Sequence, residues 1–369
     1  MSTSESERLV PLPAQPAGVP WPTDEWPTGP VPAGVDLEPL LDEVMDPAGP
    51  LSDTYAVVVI SGGRLVAERY GGALPSFTSD PTPVTVGVPL LSWSMAKSML
   101  HCVVGMLVDE GALELDAPAP VPEWSSPGDP RGAITLEQLL AMRDGLDFAE
   151  DYVDARASDV IEMLFGSGVD DVAHFAADRP LAAPPGERFN YSSGTSNIVS
   201  GIVARVIGGG EPYEAFVRSR LFEPIGMRTA RATFDTAGTW IASSYVHATA
   251  QDFARFGLLA LRDGVWDGRR LLPEGWIDHG RRVRSVDPDD GQLYGAHWWV
   301  HGDAHGTFRA SGYEGQRIIV CPALDLVVVR LGRTPAERYP NLREWSDRIV
   351  TEFSKSQHEW SVTQPGAPG

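Results

Sequence analysis

The strand-forming segments of this chain lie at its two ends, with a long helical block between them. Near the start, DTYAVVVISGGRLVAERYGG carries apolar runs at 57–60 and 65–66 around Ser61-Gly62-Gly63. Glycine supplies the positive φ of a tight turn, so this stretch predicts a β-hairpin. Beyond residue 240, HWWVHGD, GTFRASGYEG, QRIIVCP and LDLVVVRLG read as short strands separated by turn residues. Between these regions, residues 134–236 read mainly as helix. ITLEQLLAM opens with Thr135 as its N-cap, and SGTSNIVSGIVARVIG is amphipathic and stops at Gly208. TAQDFARFGLLALRDG, PEGWIDHG and the closing NLREWSDRIVTEF add three more helices. Strands from both ends have to meet in one sheet, and no βαβ alternation joins them. The expected fold is α+β, an antiparallel sheet flanked by helices with an inserted all-α region at about 125–236.

Residues 11–32 hold eight prolines, with Trp21 and Trp26 among them. That composition excludes helix and sheet there and predicts an extended stretch lying against the body, within a Pro-rich N-terminal arm over 1–49. The folded domain is expected over 50–360, and 361–369 read as a tail. The formal charge is −21, from 29 basic and 50 acidic residues, with no basic run. Nucleic-acid binding and docking on anionic membranes are therefore not expected. The first residues show no basic, apolar and small-residue succession of a leader, and no stretch of 18 apolar residues occurs. The expectation is a cytoplasmic protein with no membrane partner. Its two cysteines, Cys102 and Cys321, read as small core residues.

The chemistry concentrates in LLSWSMAKSMLHCVVGMLVDEG, residues 90–111, an apolar helix that opens with Ser94 and Lys97. Positions i and i+3 share a helix face, so hydroxyl and amine can meet. A serine hydroxyl becomes a good nucleophile when a base takes its proton, and a desolvated lysine with a lowered pKa is such a base. The free N–H groups at the helix start can hold an oxyanion. A second candidate is Tyr191, in GERFNYSSGTSN just before a helix, since a phenol beside a lysine can relay protons. A third is Ser311-Gly312-Tyr313-Glu314-Gly315, where glycines mark the close approach of a ligand or another backbone.

Together these motifs resemble the β-lactamase-related serine hydrolases, a family that includes class C β-lactamases, D-alanyl-D-alanine peptidases and family VIII esterases. ITLEQLLAMRDGLDF, LFEPIGM, TAQDFARFGLLAL and QRIIVCPALDLVVV resemble family segments in the family order, over about residues 50–355. SWSMAKSMLHCVVGMLVDEG and FAEDYVDA are most similar to the 6-aminohexanoate-dimer hydrolase branch. The resemblance implies Ser94 as nucleophile, Lys97 as its base and Tyr191 as the catalytic tyrosine. It implies Ser193 as a neighbouring polar residue and Tyr152 as a contact to amide substrates. The backbone N–H groups of Ser94 and Tyr313 would hold the oxyanion, with Gly312, Tyr313 and Glu314 lining the substrate site. No cofactor or metal is implied. The partner is a small ester or amide, and no oligomeric state follows.

Two departures from the family pattern stand out. The Lys-Thr-Gly element is replaced by Ser311–Gly315, with no cation there to hold a substrate carboxylate and with Glu314 to repel one. No acidic residue matches the one that holds the substrate amine in the nylon-oligomer branch. Two further readings follow, a β-lactamase or peptidase proper and a non-catalytic binding protein of the same fold. His297, His301 and His305 recur every four residues but fall in strand and loop, so they do not predict a metal site. Glu150, Asp151 and Asp154 read as a solvated acidic loop.

Overall fold

The computed structural model describes residues 9–75, 80–152 and 158–362. Asp154 and the tail from 363 onward lie outside them. Eight strands form one antiparallel sheet. In chain order they are β1 Asp53–Ser61, β2 Arg64–Tyr70, β3 Ser285–Val286, β4 Leu293–Tyr294, β5 Trp299–Val300, β6 Phe308–Gly312, β7 Gln316–Cys321 and β8 Leu326–Arg333. Across the sheet they run β3-β4-β5-β6-β7-β8-β1-β2, so the N-terminal hairpin pairs with the last strand. Val58 faces Val329 and Val59 faces Val328 across that seam.

The centre of the sheet is covered on both faces, which is why its strands read as unbroken apolar runs. Successive side chains point to opposite faces. Val58, Ile60, Ile318, Val320, Val327 and Val329 join the core shared with α2 Met95–Asp109 and α8 Ala250–Leu261. Val57, Val59, Ile319, Cys321, Leu326 and Val328 join the core shared with α1 Glu38–Met45 and α10 Tyr339–Val362.

Between the two parts of the sheet sequence lie α3 Leu136–Leu140, α4 Asp159–Phe165, α5 Val172–Ala177, α6 Ser193–Ile207 and α7 Glu211–Val217. The helix α9 Trp276–Arg281 follows α8. Thr135 caps α3 through a reciprocal pair with Gln138, so both orphan amides are satisfied. The helix α6 is buried from Ser193 through Ala204.

The N-terminal arm lies along the body. Arg255 Nε donates to the Pro22 carbonyl at 2.7 Å, and Trp266 Nε1 to Thr23 Oγ1 at 2.8 Å. The Trp21 and Trp266 rings stand 5.1 Å apart. The exclusion of all sheet from this arm fails at one point. Leu65 N donates to Pro27 O at 2.8 Å and Gly29 N to Leu65 O at 3.1 Å, a single parallel bridge at the free edge of β2. Proline removes a donor but keeps its carbonyl, which is all this bridge asks of it. Among the described residues no helix is long and apolar enough to cross a membrane.

The contact of α8 with the sheet depends on Gly257. A Cβ there would stand 2.5 Å from Val327 Cγ1 and 2.7 Å from Ile318 Cγ2. Gly257→Ala is expected to push the helix off the sheet and lower stability by about 1–3 kcal/mol, read by urea unfolding. An unchanged midpoint would show that this helix is free to shift.

Candidate active site

The turn that carries Ser94 is pinned from both sides. Ser92 N donates to Val246 O at 2.8 Å, and Val246 N donates to Ser92 Oγ at 3.0 Å. Trp93 then takes a positive φ of 45°, a strained conformation that such anchoring maintains. Across the cleft, Gly312 packs on this turn. A Cβ there would overlap the Ser92 carbonyl oxygen and lie 2.9 Å from Trp93 Cβ. The close approach anticipated for this glycine is thus to a backbone, the one that presents Ser94.

Lys97 is 1% exposed. Its ammonium donates to Ser94 Oγ at 3.0 Å, Ser193 Oγ at 3.1 Å and the Ser243 carbonyl at 2.9 Å. Asn197 of α6 steadies the last of these, accepting from Ser243 N at 3.1 Å. Burial disfavours the charged form and brings the lysine down to about 8, against the opposing pull of the Glu150 charge. The Tyr191 ring sits beside the same amine, 5.0 Å from Nζ to its centroid. Burial and the Glu150 charge push the Tyr191 phenol upward, while a hydrogen bond with Ser94 opposes them. The two groups therefore move apart. The lysine approaches neutral pH as a base, and the tyrosine stays a protonated phenol.

Glu150 organises this cluster. One carboxylate oxygen accepts from Ser193 N at 2.8 Å; the other accepts from Ser193 Oγ at 2.6 Å and from Tyr152 OH at 2.7 Å. It thereby meets the first turn of α6, where backbone N–H groups favour negative charge. The reading of Glu150 as a solvated loop residue is wrong. Sequence gave no sign of it, because one acidic residue among fifty looks like any other until the loop folds against α6.

The cleft has a volume of about 500 Å³ and is lined by Ser94, Glu150, Tyr152, Tyr191, Trp299 and Tyr313 among others. Tyr152 stacks on Tyr313 with centroids 4.5 Å apart, and Trp93 meets Tyr313 edge-on at 5.3 Å. The wall beside Ser94 is aromatic and the groups under it are polar. One serine, one buried amine and one phenol thus converge at the mouth of a helix.

The beta-lactamase family pattern matches residues 52–350. The chain belongs to the beta-lactamase family. It is 29% identical to 6-aminohexanoate-dimer hydrolase of Paenarthrobacter ureafaciens over 330 residues, 84% of this chain and 77% of that one. Among solved structures, a candidate 6-aminohexanoate-dimer hydrolase from Bacillus anthracis superposes with a TM-score of 0.73 at 22% identity, covering 96% of this chain and 91% of its own. A family VIII carboxylesterase superposes with a TM-score of 0.65 at 16% identity, covering 87% and 99%. These likenesses of fold agree with the α+β, β-lactamase/transpeptidase-like class.

Within this beta-lactamase fold the structure brings Ser94, Lys97, Tyr191, Ser193 and Tyr152 together. Gly312 and Tyr313 line the cleft. One expectation needs correction. Glu314 is not among the lining residues. It adopts a left-handed φ of 58°, and its carboxylate pairs with Arg333 at 3.2 Å. The Ser311–Gly315 element itself carries no cation, but the cleft does. Arg309, Arg317 and Arg343 all line the cleft, brought there by strand pairing and by α10, not by the Ser311–Gly315 element itself.

Lys97 is expected to release its proton near pH 8 in the folded protein, read by NMR of lysine labelled with carbon-13 at Cε. Glu150→Gln removes the charge that holds the proton on, so the midpoint should fall further. A midpoint at the ordinary lysine value of about 10.4 would contradict the burial argument.

Proposed function

We propose that this protein is a serine hydrolase that cleaves an ester or a linear amide through an acyl-enzyme on Ser94. The observation that carries this reading is the buried Lys97 amine, 3.0 Å from Ser94 Oγ and lowered to about 8. A neutral amine there can take the hydroxyl proton as oxygen bonds to the substrate carbonyl. Lys97 becomes an ammonium, and the carbonyl oxygen becomes an oxyanion held by the backbone N–H groups of Ser94 and Tyr313. The tetrahedral intermediate expels the alcohol or amine, which takes a proton from the Tyr191 phenol. The ammonium of Lys97 restores that proton. Water then attacks the acyl-enzyme, giving its proton to Lys97, and Ser94 is regenerated as Tyr191 and Lys97 return it a proton.

The pairing of amide and ester substrates follows from relatives of both kinds, a 6-aminohexanoate-dimer hydrolase in sequence and a carboxylesterase in fold. Ser193 and Glu150 do not touch the reacting bond in this scheme. They hold Lys97 in place and set how firmly it keeps its proton.

Ser94→Ala is expected to lower hydrolysis of p-nitrophenyl butyrate by about a thousandfold or more. It should also abolish labelling by a fluorophosphonate probe, which reacts only with an activated serine. Full activity in the variant would refute the assignment. In the native protein kcat/KM should rise with pH and level off above about 8, because Lys97 accepts a proton only when neutral.

A further inference from the structure

Arg309 and Arg317 come from adjacent strands of the sheet. Ser311 stands directly opposite Arg317 across the β6–β7 ladder, and Arg309 lies two residues before Ser311. With a period of two, all three side chains share a face. It is the face of Ile319 and Cys321, packed against α10. Arg317 Nη1 reaches α10 itself, donating to Leu342 O at 3.2 Å and Ser346 Oγ at 2.7 Å. The cleft therefore runs from Ser94 on the α2 side to a group of arginines on the α10 side.

Arg309 is 5% exposed and Arg317 6%. Neither forms an ion pair with any described residue. The partners of Arg309 are neutral: Ser311 Oγ at 3.0 Å, Gln292 Oε1, and His301 Nε2 at 2.6 Å. That histidine nitrogen has to accept, so the ring is uncharged. Of the acidic groups nearby, Asp290 pairs with Arg343 at 3.2 Å, and Asp347, 3.6 Å from the uncharged His301 ring, attracts both arginines from a distance without pairing with either. Nε and Nη2 of Arg317 have no hydrogen-bond partner among the described residues. Arg330, paired with Arg317 on the next strand, makes the contrast. Its three nitrogens are met by the carbonyls of Leu51, Asp53, Glu314 and Gly315 and by Thr54 Oγ1. Arg330 is a structural cation; Arg309 and Arg317 are buried cations with donors to spare and a cavity in front of them.

Burying a cation without a counter-charge in contact with it is costly. An anion that arrives with the substrate removes that cost and finds two planar donor forks. We propose that the α10 side of the cleft binds a carboxylate carried by the substrate, so that the substrates are anionic esters or amides. This rests on the hydrolase reading above and narrows its substrate class. The net charge of −21 repels anions at a distance, so recognition of one requires a dedicated local cluster of this kind.

The test compares p-nitrophenyl hexanoate with mono-p-nitrophenyl adipate, which share a chain length and differ by a terminal carboxylate. Native protein should favour the adipate ester in kcat/KM by about tenfold or more. Arg309→Gln and Arg317→Gln should each erase most of that preference, chiefly through KM, while Arg317→Lys keeps part of it. No preference in the native protein, or a preference untouched by both glutamine variants, would overturn the proposal. Should the glutamine variants fail to fold by circular dichroism, the native protein still decides. Adipate should inhibit hexanoate ester hydrolysis competitively where neutral adipamide does not, and equal or absent inhibition overturns the proposal. If neither ester is cleaved and the fluorophosphonate probe does not label Ser94, the hydrolase reading fails. Calorimetric titration with adipate then tests the anion site by itself, with binding supporting it and no heat rejecting it.

Discussion

Lys97 places an amine where water cannot reach it, and much of the architecture around it serves that placement. Helix α2 carries it into the core, and α6 supplies Ser193 on one side. The segment before the Val246–Ala248 strand supplies the Ser243 carbonyl on the other. Its third partner is Ser94. A buried ammonium has to be satisfied by hydrogen bonds or lose its proton, and here both tendencies act at once. The result is an amine that is held rigidly and gives up its proton near pH 8, far more readily than a lysine in water.

Glu150 balances that arrangement. Its carboxylate ties the loop before α4 to the start of α6, and its charge raises the lysine while burial lowers it. The same carboxylate pushes the Tyr191 phenol upward. Burial is what moves the weak base and the weak acid apart, lowering one and raising the other, while the Glu150 charge raises both; that separation suits an acid–base relay. On the α10 side of the cleft the buried charged groups are cations, Arg309 and Arg317. The cleft is thus polarised along its length.

Much of the site was legible because its parts are local. Ser94 and Lys97 are one helical turn apart, and Tyr191 immediately precedes the cap of α6. Glu314 was misjudged for a local reason of a different kind. Its left-handed backbone turns the side chain to Arg333, and a glutamate gives no hint of that conformation. The segment read as an arm over 1–49 includes α1 Glu38–Met45, which packs against the sheet, and its single bridge to β2 depends on where a distant edge strand lies.

The amino-acid order by itself determined the class of fold and singled out the trio proposed to react, Ser94, Lys97 and Tyr191. Hydrophobic period, turn residues and i, i+3 spacing are short-range properties that survive without knowledge of the partners. Only tertiary structure decided what surrounds the trio. Glu150 enters through a loop closing on α6, and Arg309 and Arg317 through the register of β6 on β7. Arg343 enters through the packing of α10 against their sheet. Those neighbours are separated along the chain by tens to hundreds of residues, and their proximity is set by how sheet and helices share two cores. Desolvation, which tunes the lysine and makes Arg309 and Arg317 buried cations, exists only once those cores have closed.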